Sequence, residues 1–168
     1  MARLQAAGFP VASYTADALT STFAAIRDRW PDKSTSPLRA ALWNAGYGIW
    51  KPFLDITDAE VADSLNTNVR AAFAFSRLAI TAFRENPLDE RGKRGTLLFT
   101  NATAGLRGNT TTSAFAAGKF GQRALSQSSN KEFGKVNIHV SLLNPRIAIS
   151  LNISRFFSQG CPRKPVSR

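Results

Sequence analysis

Short apolar segments alternate with longer segments of helical periodicity along most of this chain, and this alternation restricts the fold more than any other feature. Residues 38–43, 96–100 and 136–143 are short and rich in apolar side chains, as buried strands are. Apolar residues elsewhere recur at intervals of three and four, for instance within Leu19–Trp30. Strands that alternate with helices predict an α/β domain with a parallel sheet flanked by helices.

Residue types at the ends of these segments predict where several elements begin and end. Residues 10–16 have the composition of a further short strand, which would end at Asp17. Thr57 is a candidate helix N-cap, and Glu60 three residues later completes a capping box. We expect the helix that follows to be interrupted near Asn66 to Asn68, and Gly134 to cap a later helix that runs from about residue 111 to 133.

Charge and composition limit the classes of function. The chain has 22 Lys and Arg residues against 11 Asp and Glu, but the basic residues are scattered and do not alternate with aromatic ones. Solvated surface charge is therefore the preferred interpretation, and nucleic acid is not expected to be the main partner. A single cysteine, Cys161, allows no disulfide within the chain, and a single histidine, His139, argues against a histidine-based metal site.

Segments that would address the chain to a membrane are not evident in the sequence. No apolar run is long enough to span a bilayer, and the first ten residues lack the apolar core of a signal peptide. We therefore expect a cytoplasmic location and no membrane partner. Residues 1–150 are expected to form one domain, followed by an irregular basic tail over residues 151–168, where the periodicity ends.

Several motifs occur in an order that resembles one enzyme family. Asn44-Ala45-Gly46 follows a predicted strand, Asn68 interrupts a predicted helix, and Asn144-Pro145 follows the last strand. In the segment Ser113–Lys119, a lysine stands four residues after an aromatic residue, Phe115. With this order and spacing, roughly residues 3–150 resemble the short-chain dehydrogenase/reductase family.

The resemblance implies a hydride transfer between NAD or NADP and a small carbonyl or alcohol substrate. It implies that Asn68 helps to hold a proton-relay water and that Lys119 hydrogen-bonds the nicotinamide ribose. The remaining cofactor-binding residues that it implies are Asp17 beside the adenine pocket, Asn44, Ala45 and Gly46 in a turn that braces the sheet, and Pro145 against the nicotinamide.

Two departures from the family pattern remove hydroxyl groups. Phe115 occupies the position of the family's catalytic tyrosine, and Ala102, about thirteen residues earlier, occupies that of the catalytic serine. Phenylalanine retains the ring but transfers no proton, and the neighbouring Thr103 is the candidate replacement donor. Because one positioned proton donor contributes about 10²–10⁴ in rate, we expect weak or no turnover.

Two further departures concern backbone segments that bind the cofactor in this family. The family's glycine-rich turn, Thr-Gly-x-x-x-Gly-x-Gly, is absent, and Arg146 follows Pro145 where glycine is usual. The sequence is thus similar to a family member truncated at both ends. The resemblance then implies a partial doubly wound sheet of three or four strands that lacks the first two, with residues 10–16 as its third strand and 38–43 as an unpaired edge.

Three functions remain open from the sequence. The first is an NAD(P)-dependent short-chain oxidoreductase that is weak or inactive as this chain. The second is a noncatalytic relative that pairs with a second copy through its two long helices, whose small residues suit close packing: Ala72, Ser76 and Ala79 on one, and Ala116, Ala117 and Gly121 on the other. The third is an incidental binder of nucleic acid through its basic charge.

Overall fold

The computed structural model describes residues 5–144, which form a three-stranded parallel sheet with helices between the strands. The strands are β1 (Ala40–Trp43), β2 (Gly95–Thr100) and β3 (Ile138–Leu143), and the helices are α1 (Ala16–Arg29), α2 (Asp58–Leu65), α3 (Ala72–Arg84) and α4 (Ser113–Phe133). A π-helical segment, Asn66–Ala71, joins α2 to α3. Pro145, Arg146 and the expected basic tail lie outside the described residues.

The sheet confirms the predicted α/β class and the partial doubly wound architecture. The strands run parallel in the order β1-β2-β3, with Leu42 opposite Leu98 and Leu98 opposite Ser141. β1 and β2 are each followed by helix before the chain returns to the sheet, as parallel pairing requires. Among residues 5–144, β1 has a neighbour on one side only, as the sequence predicted for an edge strand.

The prediction of a strand over residues 10–16 is wrong. These residues pair with no strand among those described, and α1 already begins at Ala16. Thr15 is the N-cap, because its side-chain oxygen accepts a hydrogen bond from the Ala18 amide at 3.3 Å. Asp17 is consequently an exposed residue in the first turn of a helix, where its charge favours the positive end of the helix dipole, and does not end a strand.

One face of the sheet carries the core. Leu97 and Phe99 of β2 point into it together with Trp43 of β1 and Val140 of β3, all at 4% exposure or less. The helix α3 packs on β1 and β2, α4 packs on β3, and α1 packs on α3. The approach of α3 is close, since a Cβ on Gly95 would come within 2.3 Å of the Phe83 ring.

The opposite face of the sheet is largely open within residues 5–144. Its outward side chains include Leu42 and Leu143, which are 49% and 45% exposed. Parallel sheets are normally covered by helices on both faces. The described residues therefore supply the helices on one face only of a doubly wound sheet.

Helix boundaries follow the predicted signals closely. The side chain of Thr57 accepts from the Glu60 amide, and the Glu60 carboxylate accepts from the Thr57 amide at 3.0 Å, which completes the capping box. The predicted interruption is the π-helical segment Asn66–Ala71. The helix α4 ends at Phe133 with Gly134 as its C-cap, although the left-handed residue of this turn is Asn137, at φ 64°.

The small residues that were expected to form a surface for pairing lie mostly inside the chain. Ala72, Ser76 and Ala79 are at most 3% exposed on the buried side of α3, and Ala116 is also buried. A Cβ on Gly121 would come within 2.7 Å of the Val69 side chain, so this glycine serves packing within the chain. Sequence spacing indicates that a stripe is packed but does not say which neighbour covers it. Within residues 5–144, no helix has the length and apolarity needed to cross a bilayer.

Candidate functional site

Lys119 is a buried lysine at the carboxyl end of β2. It lies in α4, is 5% exposed, and donates hydrogen bonds from Nζ to the Thr100 carbonyl at 3.0 Å and to Gln122 Oε1 at 3.3 Å. Burial lowers the pKa of Lys119 from 10.5 to about 8, because removing an ammonium group from water disfavours its charged form. Among residues 5–144, the ammonium is therefore stabilised by neutral oxygens and by no carboxylate.

Asn68 lies in the π-helical segment with its side chain fully buried. Its Nδ2 donates to the Tyr47 carbonyl at 2.9 Å and to the Ser64 carbonyl at 3.0 Å, and these two acceptors fix the orientation of the amide. The other amide atom, Oδ1, has no hydrogen-bond partner among the described residues. A buried acceptor without a partner is costly, and such a group is often completed by a ligand or a water.

Gly46 brings these two side chains to one point. A Cβ on Gly46 would lie 3.3 Å from Asn68 Oδ1 and 3.3 Å from Lys119 Nζ, so the absence of a side chain lets the turn approach both polar atoms closely. Helix α4 approaches the π-helical segment as closely, since a Cβ on Gly118 would come within 2.9 Å of Asn68 Nδ2. The turn after β1, the π-helical segment and α4 thus meet at one donor and one free acceptor.

Phe115 stands at the edge of this site. Its ring centroid is 6.0 Å from Lys119 Nζ and 5.3 Å from the ring of Trp50, with a tilted packing geometry. The Phe115 ring is thus held in place by apolar contact with Trp50, but it carries no hydroxyl group. Ala102 and Thr103, both half-buried, begin a 3₁₀ turn just after β2, so the one hydroxyl that this turn offers at these two positions belongs to Thr103.

Two residues of the site, Asn101 and Gln122, were not singled out in the sequence. Asn101 Nδ2 donates to Gln122 Oε1 at 3.2 Å and to the Lys119 carbonyl at 3.0 Å, while its Oδ1 accepts from the Ala102 amide at 2.7 Å. Gln122 is fully buried and accepts from Lys119 as well. The spacing places Gln122 on the same helix face as Lys119 and Asn101 directly after β2, but it does not indicate that either side chain is buried.

The remaining predicted site residues are placed less tightly. Asn44 is exposed and Ala45 packs against the core, so of this tripeptide Gly46 alone meets Lys119 and Asn68. Asp17 is exposed on α1, and Pro145 falls outside the described residues. Among residues 5–144, no group of three or more His, Cys, Asp or Glu side chains is arranged to hold a metal ion.

The residues fit one part of a nicotinamide cofactor. The unpaired Asn68 Oδ1 and the Lys119 ammonium are an acceptor and a donor of the kind that a ribose hydroxyl requires. The pyrophosphate has no matching backbone, because the 168-residue sequence contains no glycine-rich turn of the kind that such a cofactor requires.

Comparisons with known proteins agree with this fold. The sequence model of the short chain dehydrogenase family matches residues 2–151. Among curated proteins, a hexahydroindene-carboxyl-CoA reductase from Mycobacterium tuberculosis is 31% identical over 106 residues, which are 62% of this chain and 38% of that protein. A tropinone reductase homolog from Arabidopsis thaliana is 31% identical over 123 residues, covering 73% of this chain and 43% of the relative.

Solved structures show the same fold. A short-chain dehydrogenase from Rhodopseudomonas palustris superimposes with a TM-score of 0.65 at 30% identity, covering 78% of this chain and 56% of that one. The sorbitol-6-phosphate 2-dehydrogenase from Erwinia amylovora gives a TM-score of 0.70 at 21% identity, covering 82% and 50%. The chain spans about two fifths of the length of the curated relatives. With a family match over nearly all described residues and the same fold in solved relatives, this chain belongs to the short-chain dehydrogenase/reductase family.

Proposed function

We propose that this chain carries the nicotinamide-ribose side of an NAD(P)-dependent short-chain oxidoreductase site, and that carbonyl reduction by the 168-residue polypeptide is weak or absent. The observation that carries the proposal is the meeting of Lys119 Nζ and the free Asn68 Oδ1 at Gly46. The phenyl ring of Phe115 lies beside them without an oxygen.

Each residue of the site has a distinct part in the proposed chemistry. When bound, the nicotinamide supplies or accepts the hydride. Lys119 and Asn68 bind and orient the ribose through one donor and one acceptor. The Phe115 ring packs against Trp50 at the edge of the site, but it cannot give a proton to a substrate oxygen. Thr103 is the remaining candidate donor near the position of Ala102. The cytoplasmic location expected from the sequence stays a prediction.

Titration calorimetry with NADH and NADPH tests the binding half of the proposal. We expect saturable heat with at least one cofactor and a clear loss of affinity in Lys119→Met, while the exposed variant Lys131→Met on the same helix binds as the wild type does. No heat at millimolar concentrations of either cofactor would refute cofactor binding by this polypeptide.

Restoring the missing hydroxyl groups tests the catalytic half. The double variant Phe115→Tyr and Ala102→Ser should reduce a panel of small ketones and aldehydes faster than the wild type by at least about 10², since each restored group is worth that much or more. The single variant Ala102→Ser is the matched control, because it lacks the proton donor. Steady reduction by the wild-type chain at the rate of the double variant would contradict the proposal.

A second candidate function is association of two copies through the helices α2, α3 and α4. The observation that favours it is a set of large apolar side chains that the described residues leave uncovered: Leu65 at 41%, Phe73 at 52% and Phe120 at 42% exposure. Leu65 and Phe73 are eight residues apart, so they lie near one side of the continuous helical segment.

Light scattering distinguishes the two candidates. The dimer is expected at micromolar concentration in the wild type and should be lost in the double variant Phe73→Ser and Phe120→Ser. Phe53, 75% exposed but outside these helices, gives the matched control Phe53→Ser, which should remain dimeric. A strict monomer at all concentrations removes this candidate and leaves the cofactor-binding proposal untouched.

A further inference from the structure

A groove at the end of the sheet opposite to Lys119 has no part in the proposed chemistry. It lies between α1, α3 and the segment that leads into β1, near the amino ends of the strands, whereas Lys119 reaches the carboxyl end of β2. Its volume is about 550 Å³, within the range of sites that hold small organic ligands. The floor is apolar and is formed mainly by Phe23, Ile26, Trp30, Leu38 and Leu78.

The charges at the rim of the groove do not balance. Lys33 and Glu85 form an ion pair with each other and so offset one another. Arg27 and Arg77 also line the groove, are exposed, and form no ion pair among residues 5–144. Two guanidinium groups at the mouth of an apolar groove leave a net positive rim, which favours a ligand with an acidic head and an apolar body.

We propose that this groove binds single-chain carboxylates of medium length, such as decanoate, with the alkyl chain on the apolar floor and the carboxylate between Arg27 and Arg77. The proposal is independent of the cofactor site, because the groove lies near the amino ends of the strands and Lys119, Asn68 and Gly46 are not among its lining residues. The groove uses two residue classes that suit this ligand chemistry: apolar side chains for the chain, and guanidinium groups that can hold a carboxylate by two parallel hydrogen bonds.

The test is a titration of the full 168-residue chain with decanoate, followed by calorimetry and by tryptophan fluorescence, since Trp30 lines the groove. Decanol and decylamine have the same chain length with a neutral and a cationic head, and they separate a charge-directed site from general binding of alkyl chains. We expect saturable binding of decanoate that is at least tenfold tighter than that of either analogue. The fluorescence change should be absent in Trp30→Phe.

Variants identify the groove as the site. The double variant Arg27→Ala and Arg77→Ala should weaken decanoate about fivefold to tenfold, as expected for two exposed ion pairs. The double variant Arg70→Ala and Arg107→Ala removes the same charge away from the groove, since both residues are exposed and neither lines it, and should leave binding unchanged. Ala82→Phe fills the groove and should abolish binding, with circular dichroism to confirm that the variant folds.

Three outcomes would overturn the proposal. Equal binding of decanoate, decanol and decylamine would show that alkyl chains bind without reference to the rim charge. An equal loss of decanoate affinity in both double arginine variants would show that the net charge of +11 attracts the anion without a specific site. A Trp30 signal that changes with protein concentration in the absence of ligand would show that a second copy covers the groove instead.

Discussion

Replacing Lys119 with methionine changes how the stability of this fold depends on pH. The pKa of Lys119 is lowered from 10.5 to about 8 because its ammonium is buried beside neutral oxygens. The folded protein therefore releases this proton near pH 8, whereas the unfolded chain holds it until about pH 10.5. Between these values the unfolded state binds more protons, so the free energy of unfolding rises as the pH rises through the window.

The size of the effect follows from the same two pKa values. The difference between the unfolded-state pKa of 10.5 and the folded-state pKa of about 8 corresponds to about 3 kcal/mol of free energy of unfolding. Structural relaxation around the ammonium reduces the effective cost of burying it, so we expect about 2 kcal/mol. Below pH 8 the charged lysine destabilises the fold by this amount, and above about pH 10.5 the penalty is gone. Lys119→Met removes the titrating group, so this component of the pH dependence disappears with it.

Urea unfolding of the wild type, Lys119→Met and the control Lys131→Met at several pH values between 7 and 10.5 measures this directly. Lys131 lies exposed on the same helix, so the control should keep the wild-type pH dependence. We expect Lys119→Met to be the most stable of the three at pH 7 and to lose about 2 kcal/mol of that advantage by pH 10.5. Equal pH dependence in Lys119→Met and the wild type would refute the argument that this ammonium is buried.

Further predictions concern the packing of α3 and the start of α2. Gly95→Ala should destabilise the fold by about 2 kcal/mol or more in urea unfolding, because its Cβ would come within 2.3 Å of the Phe83 ring. Gly134→Ala is its matched control and should not destabilise, since a Cβ there would meet nothing within 4 Å and the backbone is right-handed. Thr57→Ala should cost about 1 kcal/mol, because Glu60 loses the reciprocal partner of the capping box. Unchanged stability in this variant, in which the ion pair between Lys51 and Glu60 is retained, would show that the capping box is not required for the stability of the fold.

Local signals predicted the elements whose determinants are local. The capping box at Thr57 and the interruption around Asn68 depend on side chains that bond to nearby backbone, and both occur where the sequence placed them. The strand over residues 10–16 failed because strand formation depends on a partner elsewhere in the chain. Without a neighbouring strand to pair with, the residues before α1 form a loop, and Tyr14 instead packs its ring on Trp43 at a centroid distance of 5.4 Å.

The candidate site shows a second limit of the sequence. Lys119 and Asn68 were found because they match family motifs, but Asn101 and Gln122 match none and resemble ordinary polar residues of a turn and a helix surface. Only the approach of α4 to the end of β2 reveals that both amides are buried and bonded to each other at 3.2 Å. Burial of a polar group is a property of two elements together, and neither segment carries it alone.

The energetics of Lys119 support a role that packing alone does not explain. Within residues 5–144 no carboxylate accepts a hydrogen bond from its ammonium, so burial is offset only by the Thr100 carbonyl and by Gln122, which Asn101 in turn orients. Methionine would fill the same space without the electrostatic cost. Strongly shifted pKa values with unpartnered polar atoms nearby are typical of sites that bind a ligand. Because Asn68 Oδ1 is left without a partner at the same place, the cost of both groups is best offset by one hydroxyl-bearing ligand that bonds to them together.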